Sequence, residues 1–169
     1  MSKELIPKTE LDDLVKNLGI TLTDKCNEIG GGIVFVCIMK GGFMFFSDLV
    51  KSIKYPIEVD FIRCSSYDGQ EQKALKLHSD VEVSIEDKTV FIVDDILDSG
   101  KTIKMLKNHF LKYGAKQVET VSAVYKENVG FPNHFYIYKQ PEGVNPWYIG
   151  YGMDGPKGYS RNLNTIHTL

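Results

Sequence analysis

The sequence of 169 residues predicts an α/β fold, a doubly wound and mostly parallel sheet flanked by helices. Two observations carry this prediction. Short apolar runs rich in β-branched residues recur along the chain, as in strands that are buried on both faces. Segments with helical spacing of their apolar residues alternate with these runs, and such alternation is typical of parallel sheets. A composition of 43% hydrophobic and 25% charged residues suits one globular domain over 1–169.

The first third of the chain supplies two helices and two strands in alternation. Apolar residues over 11–29 repeat at helical spacing, and three glycines then end that helix. The run Ile33–Met39 is wholly apolar and is predicted as a strand buried on both faces. Two glycines follow, then a helix expected over 43–54 and an alternating segment, typical of a strand, over 57–66.

The remainder of the chain begins with a polar segment and then returns to alternation. Residues 67–87 are rich in charge, and we expect a long irregular excursion there, the kind of loop that is usually functional or disordered. Thr89–Leu97 is predicted as a second buried strand, and a helix follows from about residue 99 until Gly114 ends it. A further strand is expected over 118–125, followed by short segments around 135–138 and 147–151.

Charge and cysteine content exclude several classes of function. A formal charge of −2 gives no basic surface for nucleic acid or for an anionic membrane. Three cysteines without paired spacing argue against a disulfide framework and a metal-thiolate site. The N-terminus lacks the apolar core of a signal peptide, and no stretch is long enough to span a bilayer. We therefore expect a cytoplasmic protein without nucleic-acid or membrane partners.

The candidate functional residues lie where the predicted strands end. In doubly wound sheets, ligands bind beyond the carboxyl ends of the strands, where the strand order reverses. Lys40 and Gly41 follow the first buried strand, and Lys126 follows the strand over 118–125. The densest group ends the second buried strand: Asp94, Asp95, Asp98, Ser99, Gly100, Lys101 and Thr102.

This dense group combines acids with the start of a helix. A helix start offers free backbone N–H groups and the positive end of its dipole to a phosphate, and Gly100 lets the backbone approach closely. Ser99 and Thr102 can add hydroxyl donors. Carboxylates accept hydrogen bonds from ribose hydroxyls and hold Mg²⁺, so the pattern suits a sugar phosphate.

Three other interpretations of this segment explain it less well. An ATP-binding P-loop requires a glycine five residues before Gly100, and the chain has Asp95 there. A receiver domain carries its acid pair after the first strand, whereas this pair lies mid-chain. A capped surface helix accounts for Ser99 and Gly100 but not for two adjacent acids at the end of an apolar strand.

The order of residues over 90–102 resembles the phosphoribosyl-pyrophosphate signature of type I phosphoribosyltransferases. The rest of the chain, over roughly 33–163, is similar to the hypoxanthine-guanine branch of that family. This resemblance implies a Mg²⁺-dependent purine salvage enzyme that converts phosphoribosyl pyrophosphate and a 6-oxopurine base to the nucleoside 5′-monophosphate and pyrophosphate. It also implies a small hood subdomain built from the N-terminal few residues and about 130–169.

The resemblance assigns roles around the pyrophosphate. Lys40 and Gly41 match the family's pyrophosphate loop, and the peptide bond before Lys40 is expected to be cis. Ser66 and Tyr67 match the start of a mobile lid over about 67–85. Arg161 matches a pyrophosphate-binding arginine, although its spacing from Asp154 is one residue longer than the commonest family spacing. The metal-binding residues implied by the resemblance and the donor chemistry are Asp94, Asp95 and Asp154.

The resemblance also assigns the base site. Lys126 matches the lysine that donates to the exocyclic oxygen at purine position 6, and lysine has donors only, so an amino group there is disfavoured. Trp147 is expected to stack on the purine, and the backbone of Tyr148 to contact its edge. Asp98 is expected to act as general base on the purine imidazole nitrogen, with a helix N-cap as its alternative role.

Two alternatives for the whole chain stay open. The first is a phosphoribosyltransferase for another base, such as a pyrimidine-specific member or one that prefers xanthine. Lys126 and the aromatic hood favour oxopurines, but nothing in the sequence ranks hypoxanthine, guanine and xanthine. The second is a non-enzymatic regulator of the same fold that senses phosphoribosyl pyrophosphate. The resemblance further implies a homo-dimer or homo-tetramer.

Overall fold

The structure, a computed structural model, describes residues 2–66, 75–126 and 134–169. Within these ranges, three helices and nine strands follow one another along the chain. In chain order they are β1 (Lys3–Ile6), α1 (Lys8–Ile29), β2 (Ile33–Met39), α2 (Phe43–Ser52), β3 (Glu58–Ser66), β4 (Leu75–Ser79), β5 (Thr89–Leu97), α3 (Lys101–Lys112), β6 (Gln117–Tyr125), β7 (Phe135–Lys139), β8 (Tyr148–Ile149) and β9 (Ile166–Thr168).

Six strands form the main sheet, in the order β4-β3-β2-β5-β6-β7. All neighbours pair in parallel except β4, which pairs antiparallel with β3 at one edge. The chain builds outward from β2 to β3, then returns to the other side of β2 for β5, β6 and β7. The predicted fold class is therefore confirmed, and the strand order reverses between β2 and β5.

Strand β2 separates two cores, because its side chains alternate between the faces of the sheet. Ile33, Phe35 and Cys37 pack in the core that also contains buried residues of α1 and α2. Val34, Val36 and Ile38 pack in the opposite core, against buried residues of α3. These six side chains are at most 7% exposed, as expected for a strand with helices on both faces.

The helix ends differ from the sequence prediction for local reasons. Helix α2 ends at Ser52 instead of residue 54, since Ile53 is extended (ψ 129°) and the Lys54 N–H donates to Thr23 Oγ1 at 2.9 Å. Tertiary contact with α1 thus replaces the last helical turn. Helix α1 begins at Lys8, earlier than the apolar pattern predicts, because Pro7 starts the helix and accepts the Leu11 N–H.

The prediction of an irregular segment over 67–87 is wrong for part of its length. Strand β4 lies within it, and Leu77 packs against the core on the α3 side of the sheet. An edge strand needs apolar residues on one face only. In a segment rich in charge, so few apolar residues do not stand out as a strand pattern in the sequence. Residues 67–74, which include most of the expected lid and Tyr67, lie outside the described residues.

A second, smaller sheet has the order β1-β9-β8 and joins the N-terminal residues to the C-terminal ones. We call this sheet and the turns around it, residues 141–169 together with β1, the hood. Strand β7 lies in the main sheet, so the predicted hood range of about 130–169 began too early. The reason is that β7 pairs with β6 and covers its edge. None of the helices in the described ranges is long and apolar enough to cross a membrane.

Candidate active site

The segments that follow β2 and β5, and Lys126 directly after β6, lie at the carboxyl ends of the strands, and the strand order reverses between β2 and β5. Strands β2 and β5 pair as far as Cys37 and Val93, so Asp94 and Asp95 lie beyond their last paired residues. The Met39–Lys40 peptide bond is cis, as the sequence resemblance led us to expect. These loops bring Lys40 and the acids of β5 to one edge of the sheet.

Gly41 lies directly against the Asp95 carboxylate. A Cβ atom added at Gly41 would come closer to Asp95 Oδ2 than two non-bonded atoms can approach. Asp95 Oδ1 accepts the Ile96 N–H at 2.8 Å, which holds the carboxylate in this position. A glycine is therefore required here to bring the loop after β2 and the acid together.

Asp94 is the more buried member of the acid pair. Burial, and then the charge of Asp95, raise the pKa of Asp94 well above its usual value, while its Oδ1 accepts the Asp95 N–H at 2.9 Å. Burial also raises the pKa of the Cys37 thiol to about 12, with a smaller contribution from the two acids. The two acids thus differ: Asp94 contacts the protein interior and Asp95 contacts the loop and the cleft.

The start of α3 has the geometry of a phosphate site. Gly100, with φ 67°, is the residue before the helix, and the Lys104 N–H donates to its carbonyl at 2.8 Å. No side chain caps this helix start, so no capping side chain accepts a hydrogen bond from its first N–H groups. Ser99 and Lys101 are exposed, and Thr102 is half-buried.

Asp98 does not cap α3, which removes its alternative role. Its Oδ1 lies 3.0 Å from Lys126 Nζ, and no side-chain hydrogen bond caps the helix start. Lys126 Nζ also donates to Asn145 Oδ1 at 3.1 Å. The sequence analysis missed Asn145, because it lies in a polar segment with glycine and proline that indicates only a loop.

The hood supplies an indole ring and a buried tyrosine. Trp147 is 55% exposed, and its Nε1–H donates to the Asp154 carbonyl at 2.9 Å. The Tyr148 hydroxyl donates to Gln140 Oε1 at 2.9 Å, and burial raises its pKa to about 12. The Tyr148 side chain therefore belongs to the interior, while Trp147 presents an aromatic face to the cleft.

Asp154 and Arg161 pair with each other beside the loop after β2. Arg161 Nη2 lies 2.7 Å from Asp154 Oδ2, and Nη1 donates to the Gly152 carbonyl at 2.7 Å. Gly152 in turn lies so close to the Gly41 carbonyl that a Cβ atom would clash with it. The long spacing between Asp154 and Arg161 thus does not remove the arginine from the site.

A cleft of about 430 Å³ lies between the end of β5, Lys126 and the hood, and its lining does not include Lys40, Arg161 or the start of α3. It is lined by acids from the end of β5, by Lys126 and by hood residues, namely Asp95, Ile96, Asp98, Lys126, Asn145, Pro146, Trp147, Tyr148, Met153 and Asp154. Ser66 ends β3 at the same edge of the sheet, whereas Tyr67 is outside the described residues. No cluster of three or more His, Cys, Asp or Glu side chains that could hold a metal is found in the parts of the chain that the structure describes.

Comparison with known proteins identifies the family of this chain. The sequence matches the family model described as phosphoribosyl transferase domain over residues 9–155. The chain belongs to the phosphoribosyltransferase family. Among curated relatives of this phosphoribosyltransferase, the hypoxanthine-guanine phosphoribosyltransferase of Staphylococcus aureus is 32% identical over 171 residues, covering 100% of this chain and 94% of that one. The enzyme of the same name from Cricetulus griseus is 33% identical, over 98% of this chain and 80% of its own length.

Solved structures agree with this assignment. The crystal structure of a hypoxanthine phosphoribosyltransferase from Staphylococcus aureus matches with a TM-score of 0.88 and 31% identity, covering 99% of this chain and 90% of that one. A hypoxanthine-guanine phosphoribosyltransferase from Bacillus anthracis matches with a TM-score of 0.86 and 32% identity, covering 100% and 99%. This phosphoribosyltransferase is therefore an enzyme of the hypoxanthine-guanine branch, a glycosyltransferase of purine salvage.

Proposed function

We propose that this phosphoribosyltransferase joins a 6-oxopurine base to phosphoribosyl pyrophosphate and releases pyrophosphate. The observation that carries the proposal is a cleft in which Asp95 and Asp98 lie together with Lys126 and Trp147. The relatives from Staphylococcus aureus and Cricetulus griseus are named for the bases hypoxanthine and guanine, which both carry an oxygen at position 6.

In this proposal the 5′-phosphate of the sugar binds at the start of α3. The uncapped N–H groups there and the helix dipole favour an anion, and Gly100 leaves room for it. Ser99 and Thr102 add hydroxyl donors, and the exposed Lys101 adds positive charge. The ribose hydroxyls then lie against Asp94 and Asp95, near the end of β5, the strand that precedes α3.

The pyrophosphate binds across the loop after β2. Lys40 and the Gly41 backbone provide donors on one side, and Arg161 provides a guanidinium on the other. Support comes from the contact of Gly152 with the Gly41 carbonyl, because Arg161 donates to that same Gly152. Planar guanidinium groups suit phosphate oxygens.

The donors in this cleft suit Mg²⁺, which we propose as the cofactor. Magnesium is usually held by one or two carboxylates together with waters and substrate phosphates instead of an all-protein cage. Asp95, against the Gly41 backbone, and Asp154, beside Arg161, offer such oxygens, with Asp94 as the third candidate ligand. When bound, the ion would neutralise charge that develops on the leaving pyrophosphate.

The base lies between Trp147 and Lys126 in this proposal. The exposed face of Trp147 can stack on a purine ring, and the Lys126 ammonium can donate to the oxygen at position 6. The backbone of Tyr148 borders the same cleft and can contact the edge of the base. A base with an amino group at position 6 would place a second donor against the Lys126 ammonium, so no hydrogen bond would form between them.

Asp98 is the proposed general base. The bond between the sugar C1′ and the pyrophosphate oxygen breaks, the bond between C1′ and the purine nitrogen forms, and the Asp98 carboxylate takes the proton that the imidazole ring loses. Asp98 borders the cleft, and its side chain is 71% exposed, so an incoming base can reach it. Its ion pair with Lys126 keeps it beside the purine site.

The general base is tested by Asp98→Asn. We expect kcat to fall by about 10²- to 10⁴-fold, because the amide cannot accept the proton, while the KM for phosphoribosyl pyrophosphate changes little. Asp87→Asn is a matched control at the opposite end of β5, where φ is 57° and asparagine is tolerated. Full turnover by Asp98→Asn would exclude this role.

The function as a whole is tested by nucleotide formation from phosphoribosyl pyrophosphate with hypoxanthine, guanine, xanthine and adenine in turn, with and without Mg²⁺. We expect product from 6-oxopurines, little from adenine and none after removal of Mg²⁺. Preference for adenine would contradict the role of Lys126. Binding of phosphoribosyl pyrophosphate without product from any base would favour the sensing regulator.

We also propose that the enzyme forms a homo-dimer or homo-tetramer in the cytoplasm. Val59 and Phe61 on β3 and Phe43 at the start of α2 are 40–47% exposed, and exposed apolar surface often marks an interface. All three cysteines are free, which suits a reducing compartment. Light scattering on the purified chain and cell fractionation test these two points.

A further inference from the structure

Asn145 is a polar side chain of the cleft that has no role in the scheme above. It lies in the hood, two residues before Trp147, and borders both the main cleft and a neighbouring cavity of about 390 Å³. Both cavities also contain Asp98 and Lys126 in their walls. The Asn145 Oδ1 atom accepts a hydrogen bond from Lys126 Nζ at 3.1 Å.

Two acceptors constrain the direction of the Lys126 ammonium. An ammonium has three N–H donors in tetrahedral arrangement. One meets Asp98 Oδ1 at 3.0 Å and a second meets Asn145 Oδ1 at 3.1 Å. With Asp98 alone, the ammonium could rotate about that single contact; with both acceptors, the direction of the third N–H is fixed.

The two acceptors come from separate parts of the fold. Asp98 follows β5 in the main sheet, whereas Asn145 belongs to the hood, and the Lys126 side chain between them is only 17% exposed. The stem of the lysine is therefore held at its base by β6 and at its tip from two sides. Such a donor is oriented before any ligand arrives, which reduces the entropy lost on binding.

We propose that Asn145 is a positioning residue that aims Lys126 at the oxygen on position 6 and so sets the preference for 6-oxopurines. This inference rests on the base-contacting role proposed for Lys126. Asn145 is a neutral acceptor, so it orients the ammonium without competing with the Asp98 charge. A base without the oxygen gains nothing from this arrangement, because the aimed donor then has no acceptor.

The test is Asn145→Leu, which removes the acceptor and keeps a similar volume. We expect the KM for hypoxanthine to rise about tenfold, the size of a lost hydrogen bond to a charged group. The KM for phosphoribosyl pyrophosphate and the inhibition constant of unsubstituted purine, which lacks the oxygen, should stay within about twofold. Asn145→Gln keeps a neutral amide acceptor and should restore most of the KM for hypoxanthine.

Asn164→Leu provides a matched control, since it makes the same chemical change at an exposed hood position away from the cleft lining. It should leave every constant unchanged. A rise in the inhibition constant of unsubstituted purine equal to the rise for hypoxanthine would show a merely structural effect of Asn145→Leu and would overturn the inference.

A double-mutant cycle separates this inference from the function on which it rests. In a Lys126→Met background, Asn145→Leu should raise the KM for hypoxanthine by less than about twofold, because its effect passes through the lysine. If Lys126→Met alone leaves the preference for 6-oxopurines intact, the role of Lys126 fails. If Lys126→Met abolishes that preference while Asn145→Leu has no effect or an additive one, only the role of Asn145 fails.

Discussion

At the scale of single residues, the site requires the backbone to approach a side chain so closely that only glycine fits. Gly41 is the clearest case, because its Cα lies against the Asp95 carboxylate. Asp95 is also held by the Ile96 N–H, so it can move only by losing that hydrogen bond. Asp95 can therefore keep this position only if residue 41 has no Cβ atom.

Gly41→Ala should impair the enzyme without unfolding it. The new methyl group would push the Asp95 carboxylate out of place, and we expect the KM for phosphoribosyl pyrophosphate to rise at least about tenfold, with the melting temperature nearly unchanged. Steady-state kinetics and thermal unfolding measure the two quantities.

Gly155→Ala is the appropriate comparison for this change. The nearest atom to a Cβ atom at Gly155 would be Ile149 Cγ2 at 3.6 Å, an ordinary contact, and its φ is not in the left-handed region. It should behave like the unmodified enzyme. Unchanged kinetics in Gly41→Ala would mean that Asp95 has room to move and is not positioned by the loop.

The residues of the site differ in how far the sequence could predict them. The order of acids, serine and glycine at the end of β5 is visible in the sequence, because those residues are contiguous and their chemistry depends on local backbone. The contact between Lys126 and Asn145 joins residues 19 apart in sequence, with β7 between them. Such a contact depends on how the hood packs, and no short motif encodes it.

At the scale of elements, the hood is joined to α2 by a partly buried hydrogen bond. The Tyr151 hydroxyl donates to Asp48 Oδ2 at 2.8 Å, and Lys51 Nζ lies 2.7 Å from the other carboxylate oxygen. Burial raises the pKa of Tyr151 above its usual value, and the hydrogen bond to Asp48 adds to this. For Asp48, the hydrogen bonds from Lys51 and Tyr151 outweigh the effect of burial, and its pKa is lowered.

Tyr151→Phe should loosen the hood. It removes one hydrogen bond to a charged group, and we expect the free energy of unfolding to fall by about 1–2 kcal/mol, measured by urea denaturation. Tyr159→Phe removes a hydroxyl from a side chain that is 74% exposed and should change stability by less than about 0.5 kcal/mol. Equal effects of the two substitutions would mean that the Tyr151 hydrogen bond does not stabilise the hood.

Long buried elements were predictable and short edge elements were not. Strands β2 and β5 agree with the sequence prediction residue for residue, because a wholly apolar run has one plausible placement in a parallel sheet. Strands β1, β4 and β9 have three to five residues each and little apolar character, so their pairing is decided by partners distant in sequence.

At the scale of the whole molecule, one histidine links stability to pH. His134 Nε2 lies 2.8 Å from Ser122 Oγ, which itself donates to the Val124 carbonyl, so the ring donates there. Its Nδ1 lies 2.7 Å from Thr120 Oγ1 and accepts from that hydroxyl. Burial lowers the pKa of His134 from 6.5 to about 4, so the folded protein keeps the ring neutral.

The free energy of unfolding should therefore fall as the pH drops from about 6.5 to about 4. In that range the unfolded chain binds a proton at His134 and the folded protein does not, so acid favours unfolding. In His134→Gln this fall should be smaller by roughly 2 kcal/mol. Urea denaturation at several pH values compares the two proteins, and identical pH slopes would show that His134 is not held neutral.

The alternation of side chains along β2 makes the two cores distinct in size as well as in position. One face carries Phe35, whose ring stacks on Phe91 at 4.5 Å, and the other carries Val34 and Val36. Deleting a single residue near the middle of β2 would reverse the orientation of every later side chain in the strand. Large groups would then point into space shaped for small ones, and the loop that carries Lys40 would be displaced. Tolerance of insertions and deletions should accordingly be lowest in this strand, because the alternation of its side chains fixes both the packing of the two cores and the position of the loop that follows.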